Sequence, residues 1–267
     1  MGREMTRIGQ MFDRARQQGR GVFIPYVTLG DPDLETSRRV VLELEAAGAD
    51  LIELGVPFSD PLADGPVIQR ATERALARGF TLEKGLALVA DLRRQTQVPL
   101  LLFSYYNPLF AYGFERLVAA AKQRGIDGFL ITDLSVEEAE GPLQVLRGAG
   151  LDSVFLAAPT STDERIRKIA AYSSGFIYAV SRTGVTGARK SLSDEVQSLI
   201  RKIRSQTSLP VAVGFGVSEP DHLRQVWSRA EGAVVGSAIV GCIERNLGQP
   251  DLAQRVGEFG RWLKGGC

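Results

Sequence analysis

The sequence is poorest in the residues that most often carry metal and nucleophile chemistry, with one histidine and two cysteines among 267 residues. The single imidazole, His222, reads as a structural side chain in the first turn of a helix and on its surface. No serine or cysteine triad is built around it, and one histidine makes no metal site. Cys242 and Cys267 are too few for a disulfide framework and lack metal-ligand spacing, which predicts free thiols in a reducing compartment. A formal charge of +1 leaves no basic field for nucleic acid or anionic lipid. No apolar run approaches the roughly 18 residues of a bilayer span. Met1 to Phe12 is charged throughout and offers no secretory apolar stretch. The expected location is therefore the cytoplasm, or a cytosol-like organelle interior such as that of a plastid.

What is abundant is apolar sequence, at 44% hydrophobic residues, enough for one large core. Short, nearly continuous apolar runs recur at Val22–Thr28, Leu51–Leu54, Pro99–Phe103, Gly128–Ile131, Ser153–Ala157, Phe176–Val180, Val211–Gly214 and Ala233–Val235. Runs that do not alternate with polar residues mark parallel strands covered on both faces. Between them lie amphipathic stretches with legible ends. Thr162 and Ser193 each precede an acidic pair and then an apolar stripe, as helix N-caps do, and Gly48 suits a left-handed helix stop. Gly141-Pro142 predicts a helix that starts late or bends. Repeated strand–helix units without a linker point to an α/β fold, one (β/α)8 TIM barrel spanning residues 1–267. Two connections are too long, Gly55–Phe80 before the next helix and Ser181–Ser191. Loops of that length are usually functional, and those after barrel strands face the active-site mouth.

The second run and its loop supply the acids. Glu53 is a carboxylate among leucine and isoleucine; if it faces the barrel rather than a helix or a lysine, desolvation raises its pKa toward neutrality and suits it to proton transfer. Asp60 and Asp64 lie in a loop stiffened by proline and glycine, where an aspartate serves either as a turn cap or as a positioned catalytic group. Gly214-Phe215-Gly216 follows the seventh run, and Gly236-Ser237 follows the eighth and opens a helix. Glycines admit backbone amides to a phosphate, and a helix N-terminus attracts its charge, although tight turns use the same residues. Ser181 through Gly187, with Arg189 and Lys190 beyond, is either a lid over a bound anion or a loop that merely moves. Carboxylates, without metal, are thus the expected catalytic groups for a small phosphorylated substrate.

Over nearly its whole length the sequence resembles the family of tryptophan synthase α subunits. The resemblance rests on Ile24 through Pro32, Glu53 through Pro66, Tyr105-Tyr106-Asn107-Pro108, Ser181 through Gly187, Gly214-Phe215-Gly216-Val217 and Gly236-Ser237-Ala238. It implies cofactor-free retro-aldol cleavage of indole-3-glycerol phosphate, with pyridoxal phosphate held only by a β partner in an α2β2 heterotetramer. It implies Glu53 as the acid–base that protonates the indole ring, Asp64 as acceptor of the indole N–H, and Tyr178 beside the glycerol chain. Tyr26 would lie against the indole; Gly187, Gly214, Gly216, Gly236 and Ser237 would hold phosphate; Thr186 would position Asp64; and Asp60 would carry the partner's signal. Phe103-Ser104, Thr132 and Ser135 depart from the family's usual residues. The alternatives are a freestanding lyase of the same reaction and a catalytically silent, ligand-binding regulatory subunit. A metal-dependent sugar-phosphate epimerase needs histidines the chain lacks.

Overall fold

The computed structural model describes residues 5–180, 193–214 and 216–265. Among them the strands are β1 (Val22–Thr28), β2 (Ile52–Gly55), β3 (Leu100–Ser104), β4 (Gly128–Ile131), β5 (Asp152–Val154), β6 (Leu156–Ala157), β7 (Ile177–Val180), β8 (Val211–Gly214) and β9 (Gly232–Val235). The helices are α1 (Arg7–Gln17), α2 (Leu34–Ala46), α3 (Pro66–Ala77), α4 (Leu82–Arg93), α5 (Tyr106–Tyr112) and α6 (Phe114–Arg124). They continue as α7 (Glu140–Gly148), α8 (Asp163–Tyr172), α9 (Asp194–Arg204), α10 (Pro220–Trp227), α11 (Ser237–Arg245) and α12 (Leu252–Gly265).

All pairings are parallel, in the order β5-β4-β3-β2-β1-β9-β8-β7-β6. The run expected at Ser153–Ala157 is interrupted at Phe155, so one stave pairs with β4 through its first half and with β7 through its second. The Phe155 carbonyl accepts the Tyr178 N–H across that junction, and the barrel closes. Each stave then has an inward and an outward face, although both are apolar. Phe23, Val27, Ile52, Leu54, Leu100 and Leu102 face the helical shell. Val22, Ile24, Leu51, Leu101, Leu130, Phe176, Ala212 and Val234 fill the interior. Burial on both sides is why period-two alternation is missing from the sequence.

The charged N-terminal stretch is more than a tail. Thr6 accepts the Gly9 N–H at 3.1 Å and starts α1, whose Ile8, Met11, Phe12 and Ala15 join the interior cluster. Phe12 meets Phe176 at 5.5 Å between ring centroids, so the helix stoppers the barrel. The i, i+3, i+4, i+7 spacing of those four residues was a legible helical signal.

Three local expectations are corrected or refined. The connection Gly55–Phe80 is no bare loop, because α3 begins directly after Gly65 with Pro66 in its first turn, where a missing amide costs nothing. The Gly141-Pro142 helix starts late, at Glu140, which puts Pro142 in the first turn. His222 does lie in the first turn of α10, but it is buried at 5% exposure rather than on the surface, and its Nδ1 accepts the Ser218 N–H at 3.3 Å. Cys242 is buried and free.

An ion-pair network ties the segment after β1 to two helices around the mouth. Arg74 on α3 donates to both oxygens of fully buried Asp31, at 2.8 and 2.9 Å, and to Glu244 on α11 at 2.9 Å. Removing one partner of a buried pair strands the other charge, at about 3–5 kcal/mol. Arg74→Met is therefore expected to lower the unfolding free energy by about that amount in urea titrations. A loss under about 1 kcal/mol would show that Asp31 is solvated or repaired by another donor.

Candidate active site

At the mouth the inward positions change from aliphatic to polar and aromatic. Tyr26 on β1 pairs in register with Glu53 on β2. Phe103 follows on β3, edge-on to Tyr26 at 5.3 Å between centroids, and Tyr178 stands inward on β7. Since Leu51 points into the interior cluster and Ile52 and Leu54 point to the shell, Glu53 points into the barrel. It is 1% exposed, and its Oε1 has no hydrogen-bond partner. Burial pushes its carboxyl up to about 8. The Tyr178 phenol, half-buried, is pushed well up by burial first and then by the neighbouring Glu53 and Tyr26. Buried Tyr26 is likewise raised, by burial and then by the charge of Asp64, with Glu53 adding to it.

The loop after β2 is folded by its own backbone. Leu62 N–H donates to the Asp60 carbonyl at 2.9 Å, and Asp64 N–H to that of Pro61 at 3.0 Å. Gln69 on α3 holds the Asp64 carbonyl at 2.8 Å. Half-buried Asp64 is raised to about 6 by burial, against a lowering hydrogen bond from the Tyr105 hydroxyl. Tyr105, just past β3, belongs to the Tyr105-Tyr106-Asn107-Pro108 segment, and its hydroxyl accepts the Ala63 N–H at 2.9 Å. That contact spans 42 residues and leaves no local signal in the sequence. Asp60 differs from Asp64: it is exposed and accepts the Ser59 hydroxyl at 2.6 Å.

Two glycines make room for tyrosines. A Cβ on Gly55 would lie 2.0 Å from the Tyr26 hydroxyl, and one on Gly214 would lie 2.1 Å from that of Tyr178. Gly214, read as a phosphate residue, therefore has a packing reason for lacking a side chain. Gly216 takes φ +30° with open space around its Cβ position. Gly236 precedes α11 with no side-chain cap, and the nearest atoms to a Cβ there are 3.9 Å away. The first amides of α11, beginning at exposed Ser237, consequently point out of the helix end without intrahelical partners. Thr186 and Gly187, with the rest of the Ser181–Ser191 loop, lie outside the described residues, as does Phe215. Among the described residues no three His, Cys, Asp or Glu side chains gather in a way that could hold a metal ion. Nor is any described helix long and apolar enough to cross a membrane.

Fold and site define a parallel (β/α)8 barrel with two carboxylates of unlike environment at its mouth, and with α11 opening after β9 without a side-chain cap. The model of the tryptophan synthase alpha chain family matches residues 12–260. A tryptophan synthase alpha chain of Solibacter usitatus is 53% identical over 262 residues, 98% of each chain. The crystal structure of the alpha subunit from Legionella pneumophila superposes with a TM-score of 0.91 at 34% identity, over 98% of both chains. A structure concerning mutual activation of the tryptophan synthase α2β2 complex of Pyrococcus furiosus gives 0.86 at 39%, over 92% of this chain and 98% of that one. The chain belongs to the tryptophan synthase alpha chain family. It is a carbon–carbon lyase of tryptophan biosynthesis that cleaves indole-3-glycerol phosphate to indole and glyceraldehyde 3-phosphate.

Proposed function

We propose that Glu53, neutral in the resting site, delivers its proton to the indole ring carbon that bears the glycerol chain. Asp64, ionised, accepts the indole N–H and stabilises the positive charge that develops on the ring. The Glu53 carboxylate then takes the proton of the adjacent glycerol hydroxyl. The carbon–carbon bond breaks as the carbonyl forms, and its electrons restore the aromatic ring, so the acid returns to its starting state. Tyr178 stands beside the glycerol chain, and Tyr26 against the indole. The observation that carries this reading is Glu53 itself, buried in the barrel at 1% exposure with an unpartnered oxygen and raised to about 8.

The phosphate end is assigned to Gly214, Gly216, Gly236 and Ser237, with Gly187 and Thr186 contributed by the loop after β7. Contrasting substitutions test it. Gly236→Ala meets no protein atom closer than 3.9 Å, so the melting temperature should hold while KM rises by about 10-fold as the methyl blocks the anion. Gly214→Ala forces Tyr178 aside, so it should cost about 1–3 kcal/mol of stability in urea titrations as well as activity. Unchanged KM in Gly236→Ala would move the phosphate elsewhere.

The partner is a tryptophan synthase β subunit in an α2β2 assembly, supported by the Pyrococcus furiosus complex. Exposed Asp60 lies on the loop that would meet it. Proton transfer by carboxylates asks for no cofactor on this chain, and pyridoxal phosphate belongs to the partner. The cytoplasm is the site of action, since the relatives are bacterial and a phosphorylated substrate does not cross membranes freely. The direct test incubates the pure chain with indole-3-glycerol phosphate and measures indole, with and without a β subunit. Indole release rising with the β subunit is expected. Full activity alone would favour a freestanding lyase, and none under either condition, from folded protein, would defeat these assignments.

A further inference from the structure

Helices α3 and α11 pack side by side at the mouth. α3 begins directly after Asp64-Gly65 and α11 directly after Gly236, so one carries the acid loop and the other the proposed phosphate amides. Their near halves are in ordinary contact: a Cβ on Gly236 would find Ile68 Cδ1 at 3.9 Å, and one on Gly241 would find Val67 Cγ1 at 3.9 Å. Ala71 and Val240 cluster with Tyr26 along that seam. Apolar contact is non-directional and does not by itself fix how far one helix slides along the other.

Charge fixes it further along. Arg70 and Arg74, one turn apart, share a face of α3. Glu244, in the last turn of α11, takes the Arg70 fork on its two oxygens, from Nε at 2.7 Å and Nη2 at 2.7 Å. The oxygen that receives Nε also accepts Arg74 Nη1 at 2.9 Å. Arg74 is itself forked onto buried Asp31, just past β1. Forked pairs of this kind fix geometry as well as energy. α3 is thus anchored to the barrel through Arg74 and Asp31, and α11 to α3 through Glu244.

We propose that Glu244 is a positioning residue: its carboxylate locks α11 against α3 and so sets where the first amides of α11 stand for the substrate's phosphate. The inference rests on the phosphate reading above. Glu244 lies seven residues beyond Ser237, about 10 Å along the helix, so it acts through the helix and not by touching the anion. In Glu244→Gln the charged fork is lost while Arg74 keeps Asp31, so α11 is released and α3 stays in place. KM for indole-3-glycerol phosphate and the inhibition constant of glyceraldehyde 3-phosphate should each rise about 5- to 10-fold. Saturated kcat should stay within about twofold, because Glu53 and the acid loop do not move.

A purely electrostatic role has the opposite sign: losing a negative charge near a phosphate tightens binding, most of all at low salt. A purely stabilising role lowers the melting temperature and leaves both constants alone. Arg70→Gln, at an exposed position, should raise the inhibition constant about threefold, and the double variant should bind no worse than Glu244→Gln, since both break one contact. Arg70→Gln decides the matter if Glu244→Gln does not fold, and an unchanged constant there defeats the proposal. So does a constant within about twofold of native, or below it, in folded Glu244→Gln, or an additive double variant. Gly236→Ala separates the two claims. If it weakens binding and Glu244→Gln does not, the phosphate reading stands and the positioning role falls; if neither weakens it, both fall.

Discussion

Glu53→Gln is expected to leave a folded protein with kcat reduced on the order of 10²–10⁴-fold or more, because glutamine keeps the shape of the side chain and loses its transferable proton. Affinity for glyceraldehyde 3-phosphate should survive, since the phosphate end proposed above involves the ends of β8 and β9 and the start of α11, not β2. The same substitution carries a stability signature of definite sign. Glu53 titrates at about 8 in the folded chain against 4.5 ordinarily, so between those values the unfolded chain has released a proton that the folded chain still holds. Folding stability from this group is thus complete below about pH 4.5 and drains away as pH rises toward 8. The loss is on the order of several kcal/mol. Glu53→Gln removes that drain: its melting temperature should exceed that of the native chain at pH 8 to 9 and match it near pH 4. Parallel melting curves at both ends of the range, or native-like kcat, would show that Glu53 is neither the buried acid nor the proton donor.

Asp64→Asn should lower kcat/KM by about 10²-fold, and the pH profile identifies the cause. On the proposed mechanism the free enzyme needs Asp64 ionised, hence pH above about 6, and Glu53 protonated, hence pH below about 8. The native profile of kcat/KM is then a bell between those limbs. In Asp64→Asn the limb near 6 should vanish while the one near 8 remains, and in Glu53→Gln residual activity should show the converse. Persistence of the acidic limb in Asp64→Asn would assign it to another group. The division of labour follows from position: Glu53 is enclosed by the barrel with its Oε1 unpartnered, whereas Asp64 lies in a half-buried loop where the nearby Tyr105 phenol offsets part of the cost of burying its charge.

Local sequence carried much of this. Short β-rich runs located every stave to within a residue or so, as at Val22–Thr28 and Val211–Gly214, because a strand covered on both faces must be continuously apolar. The cap at Ser193 and the glycine stop at Gly48 acted as written, the former accepting the Val196 N–H and the latter adopting φ +93°. Where reading failed, a local cue was ambiguous. Asp64-Gly65-Pro66 has the composition of a turn, but it is also a helix start, and α3 was hidden behind it. His222 was placed on the correct helix and given the wrong face, since one turn of helix does not say which side meets the barrel.

The sequence by itself determined the staves, the loop that holds both aspartates, and the glycines at the ends of β8 and β9. These depend on propensities and patterns within a few residues of each other. Only the tertiary structure decided which way Glu53 points, because Leu51, Ile52 and Leu54 are apolar on both faces and no periodicity separates inside from outside until the barrel closes. It also decided that α1 plugs the barrel's floor, that Gly214 gives way to Tyr178, and that the Tyr105 hydroxyl meets the loop at Ala63. Each of these joins residues distant along the chain, and such contacts exist only once the staves have fixed their register.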